Sequence, residues 1–274
     1  MPHVTTNDGY RLHYEERGQG EPLVLVHGWS QSAAMFMHQL NGLSDRYHVI
    51  ALDLRGHGES DKPAHGYRIS RLAKDLYDAL DELQLSDVNL LGWSMGCSVA
   101  WCYLDLFGPA RLARLILVDE PAWVMHTPDQ SADEIANTGA ILDAAGLVGL
   151  YNALRSDTVA TVSGFVGGMV TPDMPADLRE WVIAENLKLP AEYAARLLLN
   201  HGSLDWRDVI PRISLPTLVI GGKHSHVNPQ SQIWIHEQIP DSRLEIFEEG
   251  GSHFMFLEAP DRFNAVVDAF LQGR

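Results

Sequence analysis

Short continuous apolar runs alternate along this chain with stretches whose apolar residues recur every three or four positions. Leu23 to His27, bounded by Pro22 and Gly28, is the first run; Tyr47 to Leu52, residues 87–92, Leu115 to Val118, Leu218 to Ile220 and Leu244 to Phe247 follow. Runs without a polar alternation suit strands buried on both faces, as in a parallel sheet. Between them the spacing predicts helices near 33–43, over 70–84 (Ile69, Leu72, Ala73, Leu76, Leu80 and Leu83 on one face), over 95–107 up to Gly108-Pro109, near 229–238 and over 260–271. The start is different: His3 to Thr6 and Tyr10 to Glu16 alternate around Asn7-Asp8-Gly9, a tight-turn signal that predicts a hairpin. Strands alternating with helices at this rhythm predict an α/β fold with a doubly wound, mostly parallel sheet.

Residues 122–202 break the rhythm. They carry helical patterns at 133–145, 177–187 and 191–200, no convincing strand, and the punctuation of Pro128, Pro172, Pro175 and Pro190. The expected organisation is a core of residues 1–121 and 203–274 with a helical cap, 122–202, inserted between two strands. No internal repeat or low-complexity segment interrupts either part.

Composition narrows the function classes. A chain of 274 residues can bury a full core, and 46% hydrophobic with 20% charged residues is ordinary for a globular domain. The net charge, 20 − 36 = −16, argues against nucleic acid and anionic membranes as partners, since both call for basic patches. The two cysteines, Cys97 and Cys102, share one helix and read as small core residues, neither a disulfide nor a metal site. Met-Pro-His-Val-Thr-Thr has neither a basic region nor an apolar run, and no stretch approaches the length of a membrane span, so a cytoplasmic protein is expected.

The chemistry centres on Gly92-Trp93-Ser94-Met95-Gly96. It follows a buried strand and precedes a long apolar helix, which is the strand–turn–helix context of a nucleophile elbow. The helix N-terminus behind Ser94 favours developing negative charge. A serine hydroxyl needs a base, and the base needs an orienting acid. Among thirteen histidines, His253 stands out: it lies in Glu249-Gly250-Gly251-Ser252-His253-Phe254, just past the last strand, where sites on parallel sheets are assembled. His27-Gly28-Trp29, directly after the first buried strand, can aim the Trp29 N–H at the same point as the Met95 N–H, forming an oxyanion hole.

His27-Gly28-Trp29, Asp53-Leu54-Arg55-Gly56-His57-Gly58-Glu59-Ser60, Gly92-Trp93-Ser94-Met95-Gly96 and Gly251-Ser252-His253-Phe254 stand in the order of the α/β-hydrolase superfamily, which this chain resembles from about residue 3 to 271. The resemblance implies that the Asp53–His57 loop is structural. One departure matters. Many members carry the triad acid after the strand that here ends at Ile220, but the text there is Gly221-Gly222-Lys223-His224-Ser225-His226-Val227-Asn228, without a carboxylate. The superfamily's other position for the acid is one strand earlier, where Asp119 ends Leu115 to Val118; haloalkane dehalogenases and cofactor-free ring-cleaving dioxygenases are similar in this. Glu120 competes, because strand alternation lets one of the two face His253, and Asp119 is favoured.

The expected function is therefore a serine esterase or lactonase, acting on small apolar esters or lactones such as N-acyl-homoserine lactones, with Ser94, His253 and Asp119 as its triad. The layout is similar to small capped esterases and to the so-called non-haem chloroperoxidases. No cofactor and no metal are expected: His224 and His226, with His201 and His236, fit no ligand spacing and read as surface or pocket-lining residues. Trp29, Trp123, Phe165 and Met169, with Met125 and Trp181, are candidates to line the substrate site. The alternatives are a cofactor-free 3-hydroxy-4-quinolone 2,4-dioxygenase, and a non-enzymatic small-molecule receptor on the same fold. A haloalkane dehalogenase needs an Asp where Ser94 stands.

Overall fold

A computed structural model describes residues 2–273. Among the described residues ten strands are formed: β1 (His3–Thr5), β2 (Arg11–Arg17), β3 (Glu21–Val26), β4 (Tyr47–Leu52), β5 (Val88–Trp93), β6 (Leu112–Val118), β7 (Met125–His126), β8 (Leu142–Asp143), β9 (Thr217–Gly222) and β10 (Ser242–Phe247). Eight of them make one sheet in the order β1-β2-β4-β3-β5-β6-β9-β10. The hairpin β1–β2 and the β2–β4 pair are antiparallel, and every pair from β4 to β10 is parallel. The continuous apolar runs are the central strands, with every side chain of β5 and β9 buried between helices on the two faces.

Register decides what the sheet can present. Val26 pairs with Gly92, Trp93 with Val118, and Val118 with Ile220, so β3, β5 and β6 end within one residue of one another and β9 runs two residues further. The residues that follow these strands share one rim at their C-terminal ends, where ligands bind on open parallel sheets.

The 122–202 stretch is largely helical, but its helices differ from the periodicity reading. The pattern at 133–145 is two elements. A helix Ala132–Thr138, started by a Ser131–Glu134 capping box, stops at Gly139, whose φ of +74° is the left-handed cap that glycine adopts at little cost. Leu142–Asp143 then pairs with Met125–His126 as a small parallel ribbon, where no strand was expected. Two further helices, Ala144–Ser156 and Thr158–Gly167, went unforeseen. The second is rich in β-branched Thr and Val, which read as strand on propensity. Asp143 and Asp157 cap the two helices, and Leu147, Leu154, Val162 and Val166 are buried along them, so capping and packing override propensity. The helices Ala176–Asn186 and Ala191–Gly202 lie where the spacing predicts them. No helix among the described residues is long and apolar enough to cross a membrane.

Candidate active site

Ser94 sits at the turn between β5 and the helix Met95–Phe107 with φ +54° and ψ −130°, a backbone a non-glycine residue rarely adopts. The turn is held because the Ser94 N–H donates to Val118 O at 2.8 Å and the Cys97 N–H to Ser94 O at 2.7 Å. It also requires close approach: a Cβ on Gly96 would lie 2.2 Å from Val26 O, and one on Gly28 would lie 2.9 Å from the Ser94 Cβ. Cys97 and Cys102 are both buried free thiols in the helix that follows.

The two adjacent carboxylates after β6 part company. Asp119, also at φ +54°, turns its side chain toward the last strands. Its Oδ2 is 2.7 Å from His253 Nδ1, its Oδ1 accepts the Gly222 N–H at 3.2 Å, and the Ser225 hydroxyl donates to Oδ2. The last residue of β9 and the acid-free loop after it thus each supply one donor to an acid that follows β6. Ser225 was not foreseen; it gave no signal beyond its place after that strand. Glu120 turns the other way, accepting the Ser98 hydroxyl at 3.1 Å with His201 Nε2 3.2 Å away. Burial pushes the Glu120 carboxyl well above the usual range.

His253 is buried and fixed at both ends of its peptide unit. Its N–H donates to Met169 O at 3.0 Å, and its carbonyl accepts the Trp93 indole N–H at 3.0 Å. The His226 ring meets it edge-on at 4.4 Å. Burial, and then the proximity of His253, hold His226 well below the usual histidine range, so it stays neutral. His224 is exposed; its backbone N–H donates to Gly251 O at 2.8 Å. Ser94 and His253 line one cavity, with no hydrogen bond joining the hydroxyl to the ring.

The His27-Gly28-Trp29 turn is braced from behind by the Asp53–Ser60 loop. His27 Nε2 accepts the Leu54 N–H at 3.0 Å, and His57 Nε2 accepts the Ser30 N–H at 3.2 Å. An acceptor nitrogen must be unprotonated, and burial enforces this by lowering His27 and bringing His57 down to about 3. Asp53 ties the same region to the hairpin, accepting from Ala33 N–H at 2.7 Å and Glu59 N–H at 2.9 Å and pairing with His13 at 2.7 Å. Burial opposes its charge, but these bonds prevail and bring it to about 2. Neither the Trp29 N–H nor the Met95 N–H donates to a protein acceptor among the described residues.

The remaining cavity wall is mostly apolar: Val124, Ile141, Leu142, Leu150, Phe165 and Leu198, with Trp29 and Met169. Phe165 stands edge-on to Trp29 at 5.6 Å, and the Trp29 indole N–H donates to Ala194 O at 2.9 Å. Trp123 does not belong to this wall, nor do Met125 and Trp181. Trp123 instead bridges to Asp205, and the Arg207 guanidinium lies 5.1 Å over its ring. Its place beside the helical stretch suggested a pocket residue, but a cation and a strand-like bridge occupy it. Among the described residues, no group of three or more His, Cys, Asp or Glu side chains is gathered as a metal site.

The family model described as "alpha/beta hydrolase fold" matches residues 21–260. The chain is 30% identical over 292 residues to the non-heme chloroperoxidase CPO-A1 of Kitasatospora aureofaciens, covering 99% of each. It is 32% identical over 269 residues to the pimeloyl-[acyl-carrier protein] methyl ester esterase of Aeromonas hydrophila, covering 94% of this chain and 98% of the relative. Among solved structures it is similar to the esterase EaEST of Exiguobacterium antarcticum, with a TM-score of 0.91, 29% identity and 98% coverage of both chains.

Proposed function

This chain belongs to the alpha/beta hydrolase fold family, and from that premise we propose that it is a serine hydrolase of carboxylic esters, lactones included, working through an acyl-enzyme on Ser94. The observation that carries the reading is the 2.7 Å contact of His253 Nδ1 with Asp119, in a cavity that also holds the strained Ser94 at a helix N-terminus.

Ser94 Oγ attacks the carbonyl carbon while His253 Nε2 takes its proton. Asp119 keeps the Nδ1 proton in place and stabilises the imidazolium. The Trp29 and Met95 N–H groups, which have no protein acceptor among the described residues, receive the oxyanion. The tetrahedral adduct collapses, the C–O bond to the alcohol breaks, and His253 returns the proton to the departing alkoxide. Water, deprotonated by His253, then releases the acid. A lactone follows the same course, its ring alcohol remaining tethered to the acyl group. The helical stretch 122–202 acts as a cap over the acyl group, with Phe165 and Met169 as apolar walls.

The test compares wild type with Ser94→Ala on a short p-nitrophenyl ester, an acyl-homoserine lactone, and a 3-hydroxy-4-quinolone followed with an oxygen electrode. The expected result is ester or lactone turnover that falls by at least about 1,000-fold in the variant. Oxygen uptake with the quinolone that survives the substitution, without ester or lactone turnover, would overturn the reading in favour of a His253–Asp119 dioxygenase.

A further inference from the structure

Glu120 and His201 line the same cavity as Ser94, whose hydroxyl lies against the Glu120 carboxyl, and the proposed acyl transfer assigns neither a role. They come from opposite sides, Glu120 from the end of β6 and His201 from the helix Ala191–Gly202, and are 2% and 5% exposed. The Ser98 hydroxyl donates to Glu120 Oε1 at 3.1 Å, and His201 Nε2 lies 3.2 Å from that same oxygen. No Lys or Arg among the described residues pairs with Glu120. His201 Nδ1 is buried without any hydrogen-bond partner.

A buried polar atom left unsatisfied in a mostly apolar wall carries a desolvation cost, and His201 Nδ1 is such an atom. A bare carboxylate would cost far more here, and burial accordingly raises Glu120 well above its ordinary range. Burial also lowers His201 to about 4, so its ring is neutral. With Oε1 accepting from Ser98 and His201, the acid proton belongs on Oε2, and the Ser94 hydroxyl also lies against this carboxyl. With His201 Nε2–H turned to Oε1, Nδ1 is left as a bare acceptor. A donor and an acceptor side by side match a group that is itself both, such as a hydroxyl or a secondary amide.

We propose that Glu120 and His201 form a polar subsite beside Ser94 that selects acyl groups bearing a hydroxyl or secondary amide within a few bonds of the scissile carbonyl. The inference rests on the acyl-transfer reading and narrows its substrate class. A purely aliphatic acyl chain leaves His201 Nδ1 without a partner and offers Glu120 nothing, whereas an oxygenated or amide-bearing one can pair with both, and sites built this way discriminate by hydrogen-bond satisfaction.

The experiment measures kcat/KM in a pH-stat for methyl butyrate, methyl 3-hydroxybutyrate and N-acetylglycine methyl ester, with wild type, Glu120→Gln, Glu120→Met and His201→Phe. The readout is the ratio of a polar to the plain ester, so general damage to a variant cancels. Wild type is expected to favour at least one polar ester by about tenfold or more. That ratio should fall toward one in Glu120→Met and His201→Phe and be largely kept in Glu120→Gln, whose amide still donates. A wild-type ratio near one, or a preference that persists in both Glu120→Met and His201→Phe, would overturn the proposal; His201→Phe alone decides it if Glu120→Met does not fold. If no methyl ester is turned over, acyl transfer is in question, and the subsite is read by tryptophan fluorescence. Tighter binding of 3-hydroxybutyramide than of butyramide, lost in His201→Phe, would sustain it, and equal binding would refute it.

Discussion

The two sides of the cavity are built on different principles. On the sheet side, Ser94, Asp119 and His253 follow the C-terminal ends of β5, β6 and β10, and the backbone N–H of each donates to a carbonyl of another segment. On the helical side, the contributors are apolar side chains and a few polar ties: Trp29 Nε1 to Ala194 O at 2.9 Å, the His253 N–H to Met169 O at 3.0 Å, and the Ser32 hydroxyl to Glu185 at 2.6 Å. The difference teaches where each kind of effect should appear. In the proposed mechanism groups on the rim hold the reacting atoms, so changing them should act on kcat. In the same proposal groups on the helical wall meet the acyl part, so changing them should act on KM and on selectivity.

The sharpest way to break this division is at the adjacent carboxylates. Asp119→Asn should lower kcat on a plain ester by about 1,000- to 10,000-fold, because in the proposed mechanism the imidazole would lose its orienting anion. Glu120→Gln should cost at least about tenfold less than that. Steady-state kinetics of the pair decides it; the reverse order would move the triad acid to Glu120. Ser225→Ala removes one donor to Asp119 and should lower kcat by about tenfold, the worth of one charge-assisted bond, with KM little changed. Phe165→Ala, on the opposite wall, should raise KM several-fold and affect kcat less, seen in the same assay.

A pH series on folding sharpens the comparison further, because each side buries a neutral histidine. His57, behind the rim, is brought to about 3, and His201, in the helical wall, to about 4, both below the ordinary 6.5. Depressed values mean that their contribution is complete above pH 6.5 and is lost as pH falls toward 4 and then 3. Each should steepen the fall by about 1.4 kcal/mol per pH unit, so His57→Gln or His201→Gln should each flatten the urea-unfolding stability curve by about one proton. The smallest effect is expected at exposed His224, where Ala should change kcat less than about twofold; a large loss would show that the loop after β9 supplies more than the Ser225 hydroxyl.

How much the sequence disclosed follows the same division. The sheet and its rim were legible because buried parallel strands leave continuous apolar runs, and loop residues that must approach closely leave glycines. Gly-Trp-Ser-Met-Gly, Gly-Ser-His-Phe and the position of Asp119 all speak through such spacing. The helical side was less legible. Its helix at 158–167 is made of residues that favour strands, and its true boundary at Gly139 depends on one left-handed residue. Trp123 looked like a pocket residue until Arg207 took its ring face. Ser225 and the Glu120–His201 contact are tertiary meetings of residues 106 and 81 positions apart, which no local pattern announces.

The most direct test of the central claim is the mass of the enzyme's peptides after rapid acid quenching during turnover of an excess of p-nitrophenyl butyrate. The account predicts a butyryl group on the peptide carrying Ser94 and none on that peptide in Ser94→Ala. A butyryl group on another residue, or steady turnover by Ser94→Ala at the wild-type rate, would contradict it.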